Sequence, residues 1–158
     1  MACTIKSPKC ATPNSCCLKH VEDILVYTTA LLDEFKINYW LDYNSLRGSL
    51  ENKVYHDNNV ISFNDDKLEM ISFLQHRIFE DGFFLSYHSV DRIFRVQRSV
   101  RNHVAVSLFN WTNHRNVCTH AGEIPRRFEH LSTVSHSWLG REMKRPQNAE
   151  EYIKIYLR

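Results

Sequence analysis

Apolar residues change their spacing several times along this chain, and that change of period restricts the possible folds more than any other feature. From Val21 to Phe35 the positions Val21, Ile24, Leu25, Leu31, Leu32 and Phe35 recur at helical spacing, with Glu22 and Asp23 in the first turn where the helix dipole favours acids. The run INYWL (37–41) is β-branched and aromatic, and Asn44 and Ser45 offer capping side chains ahead of a short helical LRGSLEN. KVYHDNNVISF (53–63) reads as a second strand. Beyond it Leu68, Met70, Ile71, Leu74 and Ile78 mark another amphipathic helix, capped by Asn64 or Asp65 and stopped near Gly82. RIFRVQRS (92–99) and NHVAVSLFNW (102–111) contain neither glycine nor proline and are expected to pair as strands. Residues 113–127 read as a polar loop, and the end is a capped helix with Asn148 as N-cap, Glu151 three residues on and Pro146 just outside. This order predicts a mixed α/β or α+β domain.

The chain has 158 residues, enough for one core without disulfide staples. Only four glycines are present, which leaves little room for a flexible multi-domain layout. The expected division is a poorly ordered Cys/Pro-containing leader over residues 1–20 and a single domain over 21–158. A net charge of +2 implies no polyanion partner by itself, so a basic site must come from local clustering. No stretch approaches the roughly 20 apolar residues of a membrane helix, and the first residues lack a secretory apolar region, so the chain reads as soluble. Five cysteines, four of them in the leader, leave the compartment open: a pair could be oxidised in a secretory lumen, or all could be cytosolic thiols.

YWLDYNSLRGSL (39–50) resembles the opening motif of the LicD/fukutin family. VYHDNNVISF (54–63), FRVQRSVRNHVAVSLFNW (94–111) and PRRFEHLSTVSHSWLGREMKRPQNAEEYIKIY (125–156) are similar to its later motifs, in the same order. The resemblance implies a nucleotidyltransferase-like fold, a small mixed sheet with flanking helices. It also implies transfer of a phosphocholine or phospho-sugar-alcohol group, such as ribitol phosphate, from a nucleotide-activated donor to a glycan. Such chemistry needs two hard divalent cations, Mg²⁺ or Mn²⁺, held by carboxylates from alternate positions of one strand and from the strand beside it. The turn before the short helix would present N–H groups to phosphate. On that pattern the phosphate- and donor-binding residues are Asn44, Ser45, Gly48 and Arg95.

Where the resemblance calls for metal carboxylates, this chain carries Asn59 and Ser107, and a second strand aspartate is either replaced by Ile61 or deleted between Val60 and Ile61. An amide and a hydroxyl carry no charge to offset a cation next to phosphates. Asp57, expected on the same strand face as Asn59, and Asp42 remain as a weak single-metal site, whereas Asp65 and Asp66 read as a helix cap. The sequence therefore predicts a catalytically degenerate relative that binds a phosphorylated ligand, a glycan or a protein partner. The alternative is an active transferase with a metal site rebuilt on Asp57, Asp42 and Asp65 or Asp66.

Other patterns carry less. Arg92, Arg95, Arg98 and Arg101 recur every third residue, which on a strand alternates faces rather than forming a nucleic-acid stripe. One or two of them are expected at the phosphate pocket. His114, Cys118 and His120 have the types for a metal clamp but lack a fourth ligand, and read as surface loop. Asn110 opens an NWT glycosylation sequon, relevant only in a secretory lumen.

Overall fold

The computed structural model describes residues 15–64, 68–88, 90 and 93–157. Its centre is a five-stranded mixed sheet in the order β1-β2-β5-β4-β3, built from Tyr39–Asp42, Asn59–Phe63, Phe84–His88 (β3), Ile93–Gln97 (β4) and Ala105–Asn110 (β5). The β2–β5 pair is parallel and all other pairs in this sheet are antiparallel. The mixed α/β architecture follows the alternation of periods in the sequence.

Residues opposite one another in a ladder share a side of the sheet. One side therefore gathers Leu41, Ile61, Leu108, Phe94, Val96 and Leu85, all buried. Two helices cover it, α1 (Ser15–Glu34) and α3 (Leu68–Glu80), with Ile24, Leu25 and Leu32 from α1 and Leu74 and Ile78 from α3 in the core. The other side carries Trp40, Asp42, Val60, Ser62, Ser107 and Arg95. Its β1 end is closed by the C-terminal part of the chain.

That C-terminal part departs from the sequence expectation. Residues 113–127, expected as loop, form most of a three-stranded sheet of β6 (Thr112–His114), β7 (Val117–Thr119) and β8 (Arg126–Arg127). A hairpin of β9 (Thr133–Trp138) and β10 (Arg141–Pro146) follows, its turn held by Leu139 and Gly140 at positive φ, and β10 packs beside β1. Helix α4 (Ala149–Tyr156) closes the chain with Asn148 at the N-cap, although the Asn148 side chain makes no cap bond. These strands are short, half exposed and rich in Arg, His, Thr and Ser, so neither alternation nor β-propensity marks them.

Three local boundaries also shift. Helix α1 starts at Ser15, upstream of Val21, and buries Cys17 and His20. Helix α2 spans Tyr43–Glu51, and its cap is Asp42, which accepts a bond from the Tyr43 N–H at 3.0 Å; Asn44 and Ser45 lie inside the helix. The expected strand from Lys53 is strand only from Asn59, because Asn58 sits at φ 51 and breaks the pleat. Asp65 and Asp66, the expected cap and alternative ligands, lie outside the described residues, as does the chain before Ser15.

Candidate functional site

At one end of the sheet, where β2 and β5 begin and β4 ends, lies a cavity of about 520 Å³. The loop before β2 contributes His56, Asp57, Asn58 and Asn59 to its wall. Opposite them stand Arg95 on β4, Ser107 on β5, and Arg101 and His103 between those strands, while Cys17 and Val21 of α1 supply an apolar margin. Asn59, Ser107, Asp57 and Arg95, picked out in the sequence for different reasons, thus share one cleft. Arg101, His56 and His103 complete it; Arg101 belongs to the arginine series of which one or two members are expected at the phosphate pocket, and His56 lies within the VYHDNNVISF motif.

The loop wall is held from behind. Asn44 donates from its side chain to the Asp57 carbonyl at 2.8 Å and from its backbone to the Asn58 carbonyl at 3.0 Å. The Asn59 carboxamide donates to the Tyr55 carbonyl at 2.9 Å and accepts from the Ser45 hydroxyl at 3.2 Å. Asn44 and Ser45 are thereby engaged in fixing the loop. Gly48 serves packing: a Cβ there would collide with the Lys53 carbonyl and stand 3.1 Å from the Trp138 ring.

The groups facing the cleft are differently placed. Among the described residues, the guanidinium groups of Arg95 and Arg101 and the carboxylate of Asp57 make no hydrogen bond or ion pair with the protein, and all three residues are exposed. Arg98 points elsewhere, over the Phe83 ring at 4.5 Å and to the Gly82 carbonyl at 3.1 Å, so the arginines do not form a stripe. Arg92 lies outside the described residues.

The described residues at the cleft do not fit a pair of divalent cations. Across β2 and β5 the position directly beside Ser107 is Val60, an apolar side chain only 2% exposed. Asp57 is the one carboxylate on the cavity wall among the described residues, and it sits in the loop rather than on a strand face shared with Asn59. No three His, Cys, Asp or Glu side chains among the described residues converge as metal ligands. Asp42, expected with Asp57 as a weak single-metal site, is instead engaged in the interior. It is wholly buried, where it receives Arg126, Ser62 at 2.6 Å and the Tyr152 hydroxyl at 3.1 Å.

Arg126 was not singled out by the sequence. It is 1% exposed, ion-paired with Asp42, and enclosed by Trp111 at 4.3 Å, Tyr152 at 5.1 Å, Tyr156 at 5.5 Å and Tyr43 at 5.6 Å. Burial pulls its pKa down, but Asp42 and the neighbouring tyrosines outweigh that and hold it above its usual value. The cation is permanent and structural. It joins β1, β8 and α4.

The remaining motifs resolve into structure. Cys118 is buried and donates to Asn113, its thiol pushed up chiefly by burial, whereas His114 is exposed, so the three clamp residues do not converge. Asn110 of the sequon is fully buried in β5. Cys17 is disulfide-bonded. No helix among the described residues is long and apolar enough to cross a membrane.

Taken together, the mixed sheet and its helices have the nucleotidyltransferase fold. The chain is similar to the crystal structure of the lincosamide antibiotic adenylyltransferase LnuA with lincomycin bound, at a TM-score of 0.57 and 15% identity, over 84% of each chain. Neither a protein-family model nor a curated protein sequence matches it. The LicD/fukutin resemblance is therefore corrected: the fold it implied is present, but the family is not supported, and a fold neighbour is an adenylyltransferase. The motif matches have a physical explanation in packing. Asp42 of YWLD caps α2 and neutralises Arg126, Gly48 makes room for Trp138, and the HDNN segment is a braced loop.

Proposed function

We propose that this domain binds a small phosphorylated molecule in the cleft at the β2–β5–β4 end of the sheet, without a divalent metal and without transferring the phosphoryl or nucleotidyl group. The observation carrying this reading is a pair of guanidinium groups, Arg95 and Arg101, that are unpaired among the described residues and face a cavity that also presents the Ser107 hydroxyl. Guanidinium groups suit phosphate oxygens because their forked N–H groups match them in geometry and charge. The argument against two-metal chemistry is the donor set: Asp57 is the one carboxylate on the cavity wall among the described residues, and the β2 neighbour of Ser107 is the buried, apolar Val60.

Inorganic phosphate is the minimal probe. In the presence of a chelator, phosphate at about a hundred times its Kd should raise unfolding free energy by about 2.7 kcal/mol, visible as an increased melting temperature. The increase should disappear in an Arg95→Gln/Arg101→Gln variant. An unchanged melting temperature in the wild type at all phosphate concentrations would contradict the reading.

The similarity to an adenylyltransferase favours one competing reading, an active nucleotidyltransferase using a nucleotide-activated donor and Mg²⁺ or Mn²⁺. That reading requires metal-dependent turnover of a nucleoside triphosphate or other nucleotide-activated donor. Detecting such turnover would overturn the metal-free proposal.

A further inference from the structure

The cleft is electrostatically divided, and the division has a consequence for what it selects. In the strand order β2-β5-β4, Asp57 and Asn58 stand at the β2 side, Ser107 in the middle and Arg95 at the β4 side. Two strand spacings separate the ends, a span of about 10 Å. Both arginines, Arg95 and Arg101, belong to the β4–β5 side, and the carboxylate belongs to the β2 side. Among the described residues, neither end has a neutralising partner.

Asp57 is also held in place. Its carbonyl accepts from Asn44 at 2.8 Å and from Asn59 at 3.4 Å, and the positive φ of Asn58 turns the chain sharply into β2. With the backbone fixed, the acid cannot withdraw far from the cavity. A phosphate bound at the arginines would leave the other half of the ligand facing a carboxylate and the Asn58 carboxamide. Hydroxyl groups would be accepted there, and further phosphates would be repelled. No Phe, Tyr or Trp lines the cavity among the described residues, so base stacking contributes nothing to selection.

We infer that Asp57 is the specificity-determining residue of this cleft, admitting monophosphate esters of sugars or polyols and rejecting polyphosphates that arrive without a metal. This rests on the phosphate-binding reading above and adds the substrate class. It assigns Asp57 a role opposite to that of a metal ligand. Here the unneutralised charge itself is the filter.

The test is a pair of calorimetric titrations with divalent metals removed, one with glucose 6-phosphate and one with tripolyphosphate, on wild type, Asp57→Asn and Asp57→Glu. The wild type should prefer glucose 6-phosphate. Asp57→Asn should bind tripolyphosphate about tenfold tighter than the wild type does, the effect of removing roughly one close like-charge contact. Asp57→Glu, which keeps the charge, should retain the wild-type preference. Melting temperatures of both variants should match the wild type, since the exposed side chain bonds no partner among the described residues.

Equal preference in wild type and Asp57→Asn, or a wild-type preference for tripolyphosphate, overturns the assignment while leaving phosphate binding intact. Failure of the wild type to bind either probe overturns the phosphate reading, and the role of Asp57 with it.

Discussion

At the scale of single residues, the sharpest contrast is between two kinds of charge. Asp42 and Arg126 are both buried and bound to each other, whereas Asp57, Arg95 and Arg101 are exposed and without a bonding partner among the described residues. A buried pair is costly to break because the remaining charge has no solvent. Replacing Arg126 with Met should therefore lower unfolding free energy by about 3–5 kcal/mol in urea titration. The double variant Arg126→Met/Asp42→Asn should recover part of the loss, because no naked carboxylate remains. A fully additive double variant would contradict the coupling. Arg126 was invisible to sequence reading because an arginine between Pro125 and Arg127 in a polar stretch has the signature of a surface loop. Its aromatic surroundings, Trp111, Tyr152 and Tyr43, come from distant parts of the chain. Asn59 and Ser107 were legible because the motif order aligned them with metal-carboxylate positions, Asp57 as a neighbour of Asn59 and Arg95 as one of the strand arginines, whereas Asn44, Ser45 and Gly48 are engaged in bracing the loop and in packing.

At the scale of elements, α2 shows how local and tertiary signals combine. Its start is fixed by Asp42, and it ends at Asn52 in the left-handed conformation, whose N–H bonds the Gly48 carbonyl. Gly48 is therefore needed for space in a helix interior, where glycine is otherwise unfavourable. Gly48→Ala should gain helix propensity yet lose stability overall, by about 1–3 kcal/mol, as the Lys53 carbonyl and Trp138 are forced apart. A measured gain in unfolding free energy would contradict that account. Long periodic elements such as α1 and the strands β4 and β5 were readable because burial imposes a regular apolar pattern on them. The β3 strand and the five short C-terminal strands were not, since their stability comes from tertiary pairing and from Trp138, Met143 and Cys118 rather than from alternation.

At the scale of the whole molecule, one buried and two half-buried tyrosines tie stability to alkaline pH. Tyr39 is pushed up to about 12, first by burial and then by the negative charge of Asp33. Tyr27 and Tyr43 move further in the same direction, each chiefly through burial and then through a bond to Asp81 or Glu123. Unfolded tyrosine ionises near pH 10, so above that pH the unfolded chain holds fewer protons than the folded one. The stabilisation these groups confer is complete below about pH 10 and is lost as pH rises toward the folded values. The urea midpoint should accordingly fall between about pH 9 and pH 11, and a Tyr39→Phe variant should fall less steeply. A flat profile would contradict the burial of these hydroxyls. The fold was thus accessible from the order of elements. The family was not, because motif residues that suggest one chemistry are held here by packing and by one buried ion pair. Metal independence is the central claim, and calorimetry of inorganic phosphate binding, with Mg²⁺ and then with chelator, tests it most directly. The account predicts one dissociation constant under both conditions, raised at least tenfold by Arg95→Gln/Arg101→Gln. Binding that requires Mg²⁺ and vanishes in Asp57→Ala would contradict it.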